Sequence, residues 1–293
     1  MILVAGATGL VGSAVCQELA RRGETVRALV RATSAKEKLE ALRSAGAELC
    51  VGDLKDPGSL SSACHGVDAV VSTASSTLSR QPGDSIESVD AAGQLNLVHA
   101  AEAAGIGRFV FVSFRRPRAI SFPLADAKRQ VEEAIASLNF TIIQASWFME
   151  VWLSPALGFD YLNRTARIYG PGTNPISWVS FRDVAVMCAL AVRSPAADRR
   201  TIEFGGPEAL SPLEVVARFE KIGAKPFQLE HVPEQTLRAQ FDGAADPMQK
   251  TFAGLMLGYL YGDAIDMAPV VDQFGIQLTS VDEYARGVLG GQA

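Results

Sequence analysis

The chain of 293 residues carries a formal net charge of −5, with 48% hydrophobic and 20% charged residues. That is soluble globular composition, long enough for one large domain or one and a half, and its mild acidity excludes a basic nucleic-acid surface. The four cysteines (Cys16, Cys50, Cys64, Cys188) are scattered with no CxxC pair, which fits small buried side chains in a reducing compartment, and the three dispersed histidines (His65, His99, His231) form no metal constellation.

The apolar run ILVAG (2–6) reads as a strand. No basic segment or cleavage site precedes it, which predicts no targeting peptide and a cytoplasmic, soluble protein. LVGSAVCQELARR (10–22) has helical spacing and stops at Gly23, TVRALV (25–30) is a strand, and SAKEKLEALRSAG (34–46) is a helix closed by Gly46. AELCVGD (47–53) and DAVVSTA (68–74) are strands around a short helix, SLSSAC (59–64). A long helix is expected over 85–105, then the strand RFVFVS (108–113), the helix LADAKRQVEEAIASL (124–138) and the strand FTIIQAS (140–146). Continuously apolar strands alternating with helices predict a parallel sheet covered on both faces. With right-handed crossovers this is a doubly wound α/β fold.

After residue 146 the regularity loosens. ARIYG (166–170) and PISWVS (175–180) read as short strands around the turn cluster GPGTNP, FRDVAVMCALAVRS (181–194) as a helix and TIEFGG (201–206) as a strand. In LSPLEVVARFEKIG (210–223) Ser211, Pro212 and Glu214 spell a helix start with a capping box. FAGLMLGYLYG (252–262) is shorter than the roughly 20 residues a membrane helix needs, and reads as a buried or pocket-lining helix. There is no Pro/Ser linker, repeat or low-complexity block. Residues 1–150 are expected to form a nucleotide-binding domain, and 151–293 a smaller α/β substrate-binding portion packed on it and sharing its cleft.

The first chemical signal is Gly6-Ala7-Thr8-Gly9-Leu10-Val11-Gly12, between the first strand and the first helix. Glycines at G-x-x-G-x-x-G spacing let the backbone turn sharply beside a diphosphate, and the helix N-terminus offers unpaired N–H groups and a positive dipole end. Gly12 permits close packing of helix on strand. An NAD site places Asp or Glu at the end of the second strand, whereas this chain has Arg31. A guanidinium grips a 2′-phosphate that a carboxylate would repel, so the expected cofactor is NADP(H), with Arg31 on the 2′-phosphate and Lys36 as helper. The alternative is a solvated surface arginine.

These residues, together with VGDL (51–54), VVSTAS (70–75), AAGQLNLVHAAEAAGI (91–106), FVFVS (109–113), AKRQVEEAIASLNFTIIQASWFMEVW (127–152) and ISWVSFRDVA (176–185), resemble the atypical short-chain dehydrogenase/reductases. The pattern is closest to the NmrA-like and isoflavone-reductase-like branch, whose nucleotide domain is a Rossmann fold. The resemblance runs through nearly the whole chain, weakest after about residue 230. It implies that Thr8, Gly9, Leu10 and Val11 cradle the diphosphate and that Asp53 and Leu54 flank the adenine. It also implies that Ser72, Thr73 and Ala74 line the adenosine and ribose path, that Lys128 binds the nicotinamide ribose, and that Phe148 lies near the nicotinamide. Asp53 as a helix cap and Phe148 as plain core are the structural alternatives.

Many reductases of this fold carry a tyrosine four residues before the lysine; here that position is Leu124. Hydride transfer builds negative charge on an oxygen that a proton must meet, and leucine cannot donate one. Three readings stay open: Lys128 acts directly, as in the isoflavone-reductase branch; another group such as Tyr169, Ser113 or Arg115 donates; or nothing is catalysed and the protein senses NADP(H) through a protein partner, as in the NmrA branch. Lys128 could also be a solvated helix lysine paired with Glu132. A sugar-nucleotide epimerase needs the missing tyrosine.

Phe114, Trp147, Phe148, Trp152 and Trp178 follow or occupy late strands, where an open α/β sheet faces its ligand. With Tyr169 they are expected to line a pocket for a small apolar or aromatic carbonyl, quinone or conjugated alkene. No nucleic acid, membrane or metal is called for. Arg115, Arg116 and Arg118 form a basic cluster, read either as an exposed loop or as an anion contact.

Overall fold

Ile2–Ala5 is four residues with no exposed member, as a strand covered on both faces requires. In the computed structural model, which describes residues 1–78, 81–115 and 120–291, it is β1. It is followed by α1 (Leu10–Arg21), β2 (Val26–Val30), α2 (Lys36–Ser44), β3 (Glu48–Val51), α3 (Pro57–Cys64) and β4 (Ala69–Ser72). A π-helical turn (Ile86–Ala91) then opens into α4 (Ala92–Ala103), and β5 (Arg108–Phe114), α5 (Pro123–Ala134) and β6 (Phe140–Ala145) complete the regular part. The later elements are α6 (Met149–Trp152), β7 (Phe159–Asp160), β8 (Thr165–Tyr169), α7 (Phe181–Arg193), β9 (Arg200–Phe204), α8 (Pro212–Gly223), β10 (Gln228–Val232), α9 (Glu234–Gly243), α10 (Pro247–Tyr261), α11 (Ala268–Phe274) and α12 (Val281–Leu289). Arg116 and Arg118 of the basic cluster lie outside the described residues.

The chain divides into two units. The first comprises Met1–Phe114, Pro123–Gln144 and Val184–Ile202, and the second Arg115–Phe122, Ala145–Asp183 and Glu203–Ala293.

The first unit carries the expected doubly wound fold. The seven-stranded sheet runs β3-β2-β1-β4-β5-β6-β9, parallel from β3 through β5. Its order reverses between β1 and β4, the switch point at which open α/β sheets bind ligands. Leu3, Ala5, Val70, Phe109 and Phe111 share one hydrophobic cluster with Leu60 of α3, Leu97 and Val98 of α4, and Val131 of α5. Each fully buried phenylalanine contributes about 2–3 kcal/mol by leaving water. Val15, Cys16 and Leu19 of α1 are also fully buried, and α1 packs on β1 and β2. The segment after α7 is tied in by Arg193 with Glu24, by Thr141 Oγ1 donating to Ala197 O at 2.7 Å, and by an Arg108–Asp198 ion pair.

One expected helix, 85–105, begins with a π turn rather than as a uniform α-helix. Ser85 caps it with a reciprocal Ser85–Ser88 box. A π turn holds an extra residue and re-aims the side chains on its wide side, here including buried Asp90.

In the second unit β8 pairs parallel to β10 and antiparallel to β7. The expected strand 175–180 is a correction. Ile176 bridges Leu210 and Asp263, while Val179 bridges Phe148. With pairing divided among three partners no continuous ladder forms. The predicted capping box of α8 is present, with Ser211 Oγ accepting from Glu214 N–H. The apolar stretch 252–262 falls in α10, where Ala253, Gly254, Leu257, Gly258, Tyr259 and Leu260 are buried. Among the described residues no helix is long and apolar enough to cross a membrane.

Candidate functional site

The glycine turn joins β1 to α1 beside the end of β4. Gly6 has φ of 81°, a conformation side chains disfavour, and a Cβ on it would lie 2.7 Å from Ala74 N and 2.8 Å from Thr73 Oγ1. A Cβ on Gly12 would lie 2.1 Å from Gly6 O, so α1 meets the strand end at glycine-only distance. Gly9 N–H donates to Gly6 O at 2.9 Å and closes the turn. No side chain caps α1, which leaves its first-turn N–H groups for an anion. Thr8 and Val11 are half-buried and Leu10 is exposed at this mouth. On the opposite lip, Thr73 N–H and Oγ1 donate to Ala5 O at 3.0 and 3.2 Å. Ser72 Oγ donates to Gln94 Oε1 at 2.7 Å, and Gln94 Nε2 donates to Ala74 O at 2.8 Å. A diphosphate fits this cradle on shape and on donor set.

Arg31 follows β2 directly. Its Nη1 lies 2.6 Å from Asp84 Oδ2, while Lys55 Nζ lies 2.7 Å from Asp84 Oδ1. Burial pushes the Asp84 carboxyl up, but hydrogen bonds from Lys55, Arg31 and Gln81 N–H outweigh it and hold the group at about 2. The cation that joins Arg31 here is thus Lys55; Lys36 is exposed at the start of α2. Asp53 is not a helix cap. Its Oδ1 accepts from Lys55 N–H, and Asp56 caps α3. Leu54 belongs to the core cluster, and its carbonyl accepts from Asn96.

Lys128 is 5% exposed, which rules out the solvated helix lysine. Nζ donates to Val112 O at 3.2 Å and lies 4.6 Å from the centre of the Phe111 ring. Glu132 is engaged instead by Arg129 and by Gln144 Nε2. Burial lowers the Lys128 pKa from its usual 10.5, with the charges of Asp90 and Glu132 acting against it. Asp90, which the sequence reading did not single out, is fully buried. Its Oδ2 accepts from Ser76 N–H and Oγ at 3.0 and 2.7 Å, and its Oδ1 has no partner among the described residues. An orphaned buried carboxylate oxygen calls for a donor from outside the chain, a water or a ligand hydroxyl.

The other candidate proton donors have partners of different kinds. Ser113 Oγ accepts from Arg129 Nη2 at 3.2 Å, which leaves its own O–H free to donate, and Arg129 Nη2 also donates to Phe114 O at 2.6 Å. Arg115 pairs with Asp263 and Glu203, and Tyr169 is buried with its hydroxyl 3.4 Å from Leu157 O.

In the second unit Trp147, Trp152, Tyr169, Tyr259 and Trp178 form one aromatic cluster. Trp152 lies 6.2 Å from Trp147, 6.4 Å from Tyr169 and 5.6 Å from Tyr259, ring centre to ring centre. Tyr259, absent from the sequence-based pocket, joins Tyr169 at 5.2 Å to Trp178 at 5.7 Å. Trp178 has no exposed surface and its Nε1 donates to Leu210 O at 2.8 Å. It is a core residue off any strand, a correction to its place among the pocket walls. Trp147 Nε1 is buried with no partner among the described residues. Phe148 and Trp152 are half-buried. The Phe-Met-Glu run has a local purpose: Glu150 accepts from Ser180 Oγ at 2.6 Å and from Phe181 N–H at 3.2 Å, holding the start of α7.

The NmrA-like family matches residues 1–285. The photosystem II assembly factor Ycf39 of Synechocystis sp. is 30% identical over 99% of this chain and 90% of its own length. An NAD(P)H azoreductase of Xenophilus azovorans is 28% identical over 92% of each chain. An NADPH-dependent quinone oxidoreductase of Escherichia coli, solved with NADPH, superposes with a TM-score of 0.79 at 22% identity, covering 98% of this chain and 99% of its own. Carrying that match almost end to end on a doubly wound nucleotide fold, the chain belongs to the NmrA-like family.

Proposed function

We propose that the protein is an NADP(H)-dependent reductase of a small apolar carbonyl, quinone or conjugated alkene. The observation that carries the reading is Lys128, a buried amine beside Phe111 and Val112 in the unit that bears the glycine turn. The azoreductase and quinone oxidoreductase relatives support it. When bound, the nucleotide supplies a hydride. Gly6, Gly9 and Gly12 shape the turn that holds the diphosphate, and Thr8, Leu10 and Val11 line it at the α1 N-terminus. Arg31 with Lys55 takes the 2′-phosphate, Asp53 and Leu54 flank the adenine, and Ser72, Thr73 and Ala74 line the ribose path. Lys128 binds a ribose hydroxyl and gives a proton to the oxygen that gains charge. In the second unit Trp147, Phe148, Trp152 and Tyr169 supply apolar surface for the substrate, and Phe114 does so in the first. The reading places the protein in the cytoplasm.

The Ycf39 relative favours a second reading: an NADP(H) binder that acts through protein contacts. NADPH consumption on a panel of quinones, enones and azo dyes separates the two. The first expects turnover on at least one compound and a loss of about 10²–10⁴-fold in Lys128→Ala. Tight NADPH binding without turnover on any compound, at any protein concentration, would leave the second reading standing.

A further inference from the structure

The carboxylate of Asp84 sits where a phosphate would. Its side chain is 1% exposed, and both oxygens are taken: Oδ1 by Lys55 Nζ, Oδ2 by Arg31 Nη1 and by Gln81 N–H at 2.9 Å. Two cations and a backbone N–H converging on one anion form the donor set that binds a phosphate monoester. The segment also reaches the end of β2 a second time, where Thr33 Oγ1 donates to Gln81 Oε1 at 2.6 Å. Arg31 and Lys55 are 25% and 32% exposed in their side chains, so water and a ligand reach them from the side that Asp84 does not cover.

We infer that Asp84 is a resident anion that the 2′-phosphate of the cofactor must displace from Arg31 and Lys55. The inference rests on the proposed role of Arg31 and deepens it. A dianion settling on the same two cations with a carboxylate still seated between them is opposed by the repulsion of like charges a few ångströms apart. Residues 81–84 therefore compete with NADP(H) for its own anchor. A nucleotide without the 2′-phosphate meets no such competition. Asp84 thereby limits both the affinity for NADP(H) and the preference over NAD(H).

The probes are 2′,5′-ADP, which carries the phosphate, and 5′-AMP, which lacks it. Calorimetry on the full chain is expected to give Asp84→Asn about tenfold tighter binding of 2′,5′-ADP and unchanged binding of 5′-AMP. Arg31→Ala is expected to lose most of the difference between the two probes. If Arg31→Ala weakens 2′,5′-ADP but Asp84→Asn leaves it unchanged or weaker, the inference fails and the role of Arg31 survives. If the wild type binds both probes equally and Arg31→Ala changes nothing, the role of Arg31 fails and the inference with it. Amide exchange on the wild type needs no variant. Displacement predicts faster exchange at residues 81–84 when 2′,5′-ADP binds, and slower exchange there overturns the inference.

Discussion

Gly12→Ala tests the cradle directly. A Cβ at this position would lie 2.1 Å from Gly6 O, 2.6 Å from Gly6 C and 2.7 Å from Thr73 Oγ1, whereas ordinary contact begins at 3.4 Å. Two of the three atoms are backbone, so no rotamer change relieves the overlap, and α1 must retreat from β1 by about 1 Å. Overpacking of this kind costs about 3 kcal/mol, the upper part of its usual range, or roughly 6–12 °C in Tm for a unit of this size. The same retreat moves the α1 N–H groups from the diphosphate, and an error of about 1 Å in a positioned group is worth up to ~10²-fold. Gly9→Ala is the control, since its Cβ would meet only Gly6 O, at 3.2 Å, and should cost below about 1 kcal/mol. Thermal unfolding and NADPH titration of both variants measure the two effects. Wild-type Tm and affinity in Gly12→Ala would refute the close approach and the phosphate role built on it.

Two further predictions concern buried charge. Burial lifts the Asp183 carboxyl from 3.8 to about 6, although Thr279 N–H and Oγ1 donate to it at 2.7 and 2.9 Å. The folded chain then holds a proton that the unfolded chain has released, so stability falls as pH rises from about 4 to 6, by up to about 3 kcal/mol; urea unfolding should show this slope relative to Asp183→Asn, whose amide can still engage both Thr279 groups, and parallel curves would count against it. Burial lowers the Lys128 pKa from 10.5, so between the lowered folded value and 10.5 the unfolded chain binds more protons and stability should rise with pH across that window; Lys128→Met should flatten the rise in alkaline urea titrations, and an unchanged slope would place the amine in water.

The parts of the site legible in the sequence are those written in local spacing. The glycine turn needs seven consecutive residues, and Arg31 is the residue after a strand. Its partner Asp84 comes from 53 positions away, delivered by a loop whose path no periodicity records. Asp90 escaped for a similar reason. On a uniform α-helix it is one more polar residue, and only the π turn and its bond to Ser76 turn it into the buried core. The loosened rhythm after residue 146 does not record that the first unit also takes in 184–202, which rests on long-range ties such as Arg108 with Asp198. Trp178 illustrates a further limit: a tryptophan beside a β-bridge can face either side, and the carbonyl of Leu210 decides it.

Leu124 and Lys128 bear on each other through burial. In a tyrosine-bearing enzyme the lysine stays charged so that it can depress the pKa of the phenol. Here the equivalent of the phenol is a buried leucine, and the amine has no phenol to assist. Burial moves the pKa of Lys128 itself toward the working range of an acid, and Asp90 acts in the opposite direction. The balance between these two effects sets how readily the ammonium gives up a proton. In the proposed reaction that balance stands in for the missing hydroxyl, since burial makes the ammonium a stronger acid than a lysine in water. The charge of buried Asp90, whose Oδ1 has no hydrogen-bond partner among the described residues, works against that shift.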